Sequence, residues 1–406
     1  MKGFLFLFLL LSIKVYSQVL PPSLGFHNKK SASSSEESFV LDFDNDDDCT
    51  SGCGTSFYGE VNWSTNMSAY TVSMWVKSGE DNPTQWRAFF NTYNNPGNGF
   101  QMDSGGSSNY RFYAHAGQGS FGANSLKSTW VHLAAVAGSS QTKLYYNGVL
   151  VSTNNWVESD WNQIEIGRNR NADRPGNYFL DEVRVWDVAL SQADIQSWMH
   201  KPLSSSHPNY SDLQVYFQMN SNSISGGNNL LDISGNSNNA TLYNVSGIQT
   251  SSSNVPVTDL ISSYQTDVES IWSSTGTSDS EDSNGLKMSV SSTLAEANFV
   301  IFGNNNDDSG TTSSDISGIS LRSKREWHLD ETGTVSADVK VDIGDATGHT
   351  GTISAASNYK LLYATCGGCT FVELETGDSV SGDVVTFSSV AIKDGIYAIG
   401  SADSNL

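Results

Sequence analysis

KLYYNGVLVS, residues 143–152, decides the fold class. Lys143–Tyr146 and Val149–Ser152 are two short, largely apolar runs with Asn147-Gly148 between them. Asn-Gly supplies the two positive-φ residues of a type I′ turn, whose twist matches that of paired antiparallel strands. The stretch therefore predicts a β-hairpin. Working outward, TWVHLAAVAG (129–138) precedes it and QIEIGRN (163–169) follows, both short runs bounded by turn residues. Helical periodicity is nearly absent from the chain. Alternating runs separated by Gly, Asn, Ser and Asp clusters predict an all-β protein.

The chain has 406 residues, too many for one ordinary core. Lys2 precedes an apolar run, Phe4–Ile13, of about ten residues, too short to span a bilayer. Val15 and Ser17 then give the small-residue pattern of a cleavage site, so residues 1–17 are expected to be a signal peptide. That makes the mature protein secreted or displayed at the cell surface. No later stretch is long and apolar enough for a membrane span. The formal charge of −22 repels nucleic-acid phosphates. It suits a neutral ligand or a cation. Four cysteines in an exported chain are expected to be paired. Their separation along the sequence, which puts the two pairs in different domains, favours local pairs, Cys49–Cys53 and Cys366–Cys369. The alternative, a zinc site, matches loosely in spacing and would need two domains to converge.

Residues 18–37 are a polar, Ser-rich linker. Strands are then expected at Phe39–Phe43, Tyr70–Lys77, Trp86–Asn91 and Gly99–Asp103. In FLDEVRVWDVALSQADIQSW (179–198) a strand runs to Trp186 and a short helix follows, with Ser191 placed to cap it and Asp194 three residues on. The series YTVSMWVK, WVHLAAV, KLYYNGVLV, IEIGRN, FLDEVRVWDVALSQADI and the closing LLDISGNSNNATL resembles the laminin-G-like jellyroll of the concanavalin A-like lectin/glucanase superfamily. The resemblance covers residues 38–248 and implies two antiparallel sheets packed face to face, one of them concave. A linker is expected at 249–258, opening QTSSSNVP. Seven further short strands over 259–406 predict a second, smaller β-sandwich, similar to accessory domains of adhesin-like proteins.

LDFDNDDDCTSGCG (41–54) invites a calcium reading. An EF-hand loop fails here, because position 6 is Asp47 rather than Gly and position 12 is Cys53. The resemblance implies a different structural calcium, held by Asp44, Asp48 and Asp181. For catalysis, laminarinase-type relatives carry two carboxylates on one strand. The nearest string, Glu158, Asp160 and Glu165, places i and i+7 on opposite faces unless a bulge intervenes. The chain is therefore expected not to be an enzyme. Trp75, Trp130 and Trp186 lie in apolar strands and read as core or inter-sheet packing. Trp86, Tyr93, Tyr110, Trp156 and Trp161 sit among Asn, Gly and Asp and are the candidate ligand-stacking rim. Arg168, Arg170 and Arg174 form a basic island that either suits a carboxylate or sulfate or simply neutralises neighbouring aspartates. The function expected is non-catalytic binding or adhesion through a glycan or another cell-surface ligand. The alternatives are a protein–protein scaffold module or, third, a polysaccharide-degrading enzyme.

Overall fold

The computed structural model describes residues 39–44, 57–79, 86–92, 99–102, 108–114, 116–125, 127–158, 160–168, 175–219, 224–244, 250–252, 254–258, 260–307 and 310–406. The expected signal peptide, the polar linker, Cys49 and Cys53 lie outside them. Two antiparallel sheets build the first sandwich. Sheet A runs β10 (Val149–Asn154), β9 (Thr142–Tyr146), β8 (Val131–Ala137), β3 (Tyr70–Ser78), β12 (Asn177–Trp186), β1 (Phe39–Asp44) and β17 (Thr250–Ser252), with β13 (Leu213–Phe217) also on β12. Sheet B runs β14 (Ile224–Ser225), β15 (Asn229–Leu230), β16 (Ala240–Tyr243), β2 (Tyr58–Asn66), β11 (Asp160–Ile166), β4 (Arg87–Thr92), β5 (Gly99–Met102), β6 (Tyr110–Ala114) and β7 (Gly117–Ser120). The hairpin is as the sequence dictates. Tyr146 pairs with Val149, and Asn147 and Gly148 take φ of 48° and 75°.

Strand alternation sends Val72, Met74, Leu133, Leu180, Phe100, Phe112 and Ile164 into one apolar core between the sheets. Each fully buried Leu, Ile or Phe there contributes roughly 1.5–3 kcal/mol. The opposite parity on sheet A puts Trp75, Trp186 and Arg184 on the outer face, which is covered as well. Helix α1 (Gln192–Met199) lies over part of it, and Ile195 packs with Trp186, Tyr145 and Val136. Its capping box forms as expected, with Ser191 and Asp194 exchanging backbone bonds. The helix end is tied down through a bulge in β12, where Glu182 has φ 52°. The Glu182 carboxylate accepts from Arg184 and from Tyr216 Oη at 2.7 Å, and Arg184 donates to the carbonyls of Trp198 and Lys201 at 2.8 and 2.6 Å.

The second sandwich pairs sheet C with sheet D. Sheet C runs β18 (Thr266–Ile271), β21 (Phe299–Asn304), β24 (Trp327–Thr332), β30 (Gly395–Ser401), β23 (Leu321–Ser323) and β22 (Thr311–Thr312), with β26 (Tyr359–Ala364) and β27 (Val372–Thr376) continuing from β30. Sheet D runs β19 (Ser280–Glu281), β20 (Leu286–Ser289), β25 (Ser336–Asp342), β29 (Val384–Ala391) and β28 (Ser379–Ser381). All seven expected strands are present. Cys366 and Cys369 form the expected disulfide after β26.

Two expectations about organisation change. Thr250–Ser252, read as linker, is an edge strand on β1. Backbone pairing on a sheet edge needs no apolar side chain, so composition gave no sign of it. Trp75 and Trp130 are buried, but outside the inter-sheet core. They lie in a seam with Val255, Leu260, Trp272, Phe299 and Ile301, where the second sandwich covers sheet A. Trp75 Nε1 donates to Met199 O at 2.8 Å, Trp272 Nε1 to Trp130 O at 3.1 Å, and Lys77 pairs with Glu296 at 2.8 Å. His200, fully buried there, donates from Nδ1 to Pro256 O and accepts from Ser270 Oγ at Nε2, both at 2.8 Å.

Candidate functional site

Sheet A spends its outer face on packing. Sheet B does not, since among the described residues none of the apolar clusters lies on its outer side. The strand registers set one row of side chains across that side. Thr241 opposes Glu60, Glu60 opposes Glu165, and Glu165 opposes Asn91; the row continues through Gly99 and Tyr113 to Gln118. One step along β2 and β16, Tyr58 opposes Tyr243. Their rings stack with centroids 4.8 Å apart and planes 12° apart, and Tyr243 is 37% exposed.

Arg168 organises the row. It follows β11 directly, and its guanidinium carbon stands 3.3 Å from the centre of the Tyr58 ring. Nη2 donates to Glu165 Oε1 at 2.7 Å and to Glu60 Oε1 at 2.8 Å. Asn91 Nδ2 donates to the Arg168 carbonyl. Burial pushes the Glu165 carboxyl up to about 7; Arg168 opposes the rise and Glu60 adds to it. Gly99 leaves the row without a side chain between Asn91 and Tyr113. A Cβ there would stand 2.0 Å from Phe90 O, so no larger residue fits.

The expected rim does not assemble. Trp86 is 44% exposed at the start of β4. Trp156 is half-buried and lies parallel to Phe112, centroids 6.2 Å apart, over the bare Gly117. Tyr110 and Trp161 are fully buried core residues. Tyr110 opposes inward-facing Met102. A bulge at Gln163, φ 28°, resets the parity of β11 so that Trp161 and Ile164 both face inward. Tyr93 lies outside the described residues.

The implied calcium set lies only partly within the described residues. Asp44 opposes Asn177 on β12, four positions from Asp181, which is about 14 Å along a strand. Calcium takes its oxygens at about 2.3–2.6 Å. Asp181 is buried opposite Trp75, and its Oδ1 accepts the Glu182 N–H at 2.8 Å. Asp48 lies outside the described residues, as do Arg170 and Arg174. The third arginine of the basic island, Arg168, is neutralised by its two carboxylates. Sequence reasoning missed Tyr58, Glu60, Asn91 and Tyr243. The alternation Tyr58/Glu60/Asn62 against Val61/Trp63 was the available signal for β2.

Residues 52–196 match the concanavalin A-like lectin/glucanases superfamily, and the first sandwich is a concanavalin A-like domain. Residues 236–396 match a domain of unknown function (DUF8202). None of the curated proteins matches the sequence. Among solved structures, a candidate carbohydrate binding protein from Bacteroides ovatus is 17% identical, with a TM-score of 0.44 over 56% of this chain and 63% of that one. Domain 4 of AbnA, an extracellular arabinanase of Geobacillus stearothermophilus solved with arabinotriose, is 21% identical, with a TM-score of 0.26 over 32% of this chain and 65% of that one. A Trypanosoma rangeli sialidase mutant is 18% identical, with a TM-score of 0.27 over 31% of this chain and 22% of its own. The chain thus spans less than two thirds of the length of each.

Proposed function

We propose that this is an exported, non-catalytic binding protein that takes a glycan on the outer face of sheet B. One observation carries the reading. The Glu60–Glu165–Asn91 row, continued by Tyr113 and Gln118, lies beside the stacked Tyr58 and Tyr243 rings. Sugars offer hydroxyls to carboxylates and amides, and C–H faces to aromatic rings. This face combines both kinds of partner on rigid strands, where side chains are held more accurately than on loops. The Cys366–Cys369 disulfide supports an oxidising compartment, as the expected signal peptide does.

Binding of the purified chain to a glycan array tests the proposal, with Tyr58→Ala as the control that removes the platform. A folded chain that binds no glycan would leave the protein-scaffold reading in front. That reading has its own support in Val149, Leu150 and Val151, which are 55%, 40% and 44% exposed on edge strand β10. An exposed apolar edge strand is a ready template for pairing with another chain.

A further inference from the structure

We infer that Glu165 Oε2 and Asn91 Oδ1 are a matched acceptor pair for two hydroxyl donors of a neutral sugar, which makes these two residues the specificity determinants of the face. The inference rests on the glycan reading and deepens it. Glu165 and Asn91 are directly opposed across β11 and β4, with α-carbons about 5 Å apart. Each has one polar atom committed within the protein and one left over. Glu165 Oε1 holds Arg168, while Oε2 is buried and accepts nothing. Asn91 Nδ2 is fixed on the Arg168 carbonyl, which only an N–H can satisfy, and this leaves Oδ1 as a buried acceptor without a donor.

A buried acceptor without a donor costs about 1–3 kcal/mol. Two side by side, next to a position that can hold only glycine, are a standing demand for donors. A ligand that met that demand would have to reach two buried residues, Glu165 being fully buried and Asn91 5% exposed. Its chemistry is constrained by charge. Arg168, the cation beside the pair, is already committed to Glu60 and Glu165 and packs on Tyr58. An anionic sugar would meet these two acceptors beside a cation already paired with two carboxylates. The other arginine at this row, Arg111, donates to Gln118 at its far end. A neutral sugar with two adjacent hydroxyls satisfies both atoms and leaves the ion pairs intact.

The groups facing Glu165 are Glu60 and Tyr58 from β2, Asn91 from β4 and Arg168 itself. A proton taken up by Glu165, stabilised by a hydrogen bond to the Glu60 carboxylate, removes acceptor capacity from the pair. Affinity should therefore fall as pH drops below about 7, approaching tenfold per pH unit for a single linked proton.

The test uses the full chain on an array carrying neutral, sialylated, sulfated and free-amine sugars, followed by titration of the strongest neutral probe from pH 6 to 8.5. Neutral sugars should dominate, Glu165→Gln should weaken binding at least tenfold, and the pH slope should vanish in that variant. The wild-type pH profile keeps the inference testable if Glu165→Gln fails to fold. Preference for acidic or amine-bearing sugars, or a wild-type affinity flat across pH 7, overturns the acceptor pair. So does unchanged binding by folded Glu165→Gln. If Tyr58→Ala abolishes binding while Glu165→Gln does not, the face stands and the pair falls. If no sugar binds at all, both fall.

Discussion

Trp75 and Trp272 meet edge to face, ring centroids 5.9 Å apart and planes 78° apart, across the seam between the two sandwiches. One indole comes from the middle of sheet A and the other follows the first strand of sheet C. The two sandwiches are therefore expected to unfold as one cooperative unit. Trp75→Ala opens a cavity at the seam and should cost about 3–5 kcal/mol. It should also split the denaturant transition in two, read by far-UV circular dichroism. A single transition in both proteins, with an equal midpoint, would show that the seam contributes nothing.

The seam should also be sensitive to acid. Burial lowers the His200 imidazole to about 4, below its ordinary value. Between about pH 6.5 and 4 the unfolded chain binds a proton that the folded chain refuses, so stability falls as pH falls through that window. The loss should be roughly 3 kcal/mol. His207, also lowered to about 4 by burial, adds to the slope. Denaturant melts at pH 7.5, 6 and 4.5 measure it, and His200→Asn should flatten part of the dependence.

Aromatic substitutions should divide by location. Tyr58→Ala and Tyr243→Ala should weaken sugar binding several-fold, about 0.5–1.5 kcal/mol per stacking contact, with little change in melting temperature. Trp161→Ala and Tyr110→Ala should destabilise the first sandwich by roughly 3–5 kcal/mol, because both are core. Paired melting and titration experiments on the four variants separate the groups. Equal binding losses at equal stability would return Tyr110 and Trp161 to the binding surface.

Asp181→Asn should leave any calcium response unaltered. Melting curves with calcium or with excess EDTA should shift alike in wild type and variant, since Asp181 lies too far along β12 from Asp44 to share an ion. A calcium-dependent rise that disappears only in the variant would restore the shared site.

The hairpin at Asn147-Gly148, the capped helix at Ser191 and the seven strands of the second sandwich were legible because local chemistry decides them. The seam was not. Trp75 and Trp272 stand far apart in sequence, and an apolar residue on a strand reads the same whether its partner is the facing sheet or another domain. The binding row was hidden for the same reason. Glu60, Asn91 and Glu165 are unremarkable singly, and only the pairing of β2, β11 and β4 aligns them. Tyr110 and Trp161 were misread because flanking Asn and Asp made their strands resemble loops. In β11 the bulge then changed which way the side chain points.

The covered face of sheet A has a mechanical consequence. The second sandwich docks on one side of the first, and the proposed sugar face looks out from the other. If the C-terminal half is held by a surface, the sugar face is presented away from it, with two sandwich thicknesses as standoff. A pull on a captured sugar then passes through β-strands and an indole-packed joint, so tension reaches the anchor with little slack.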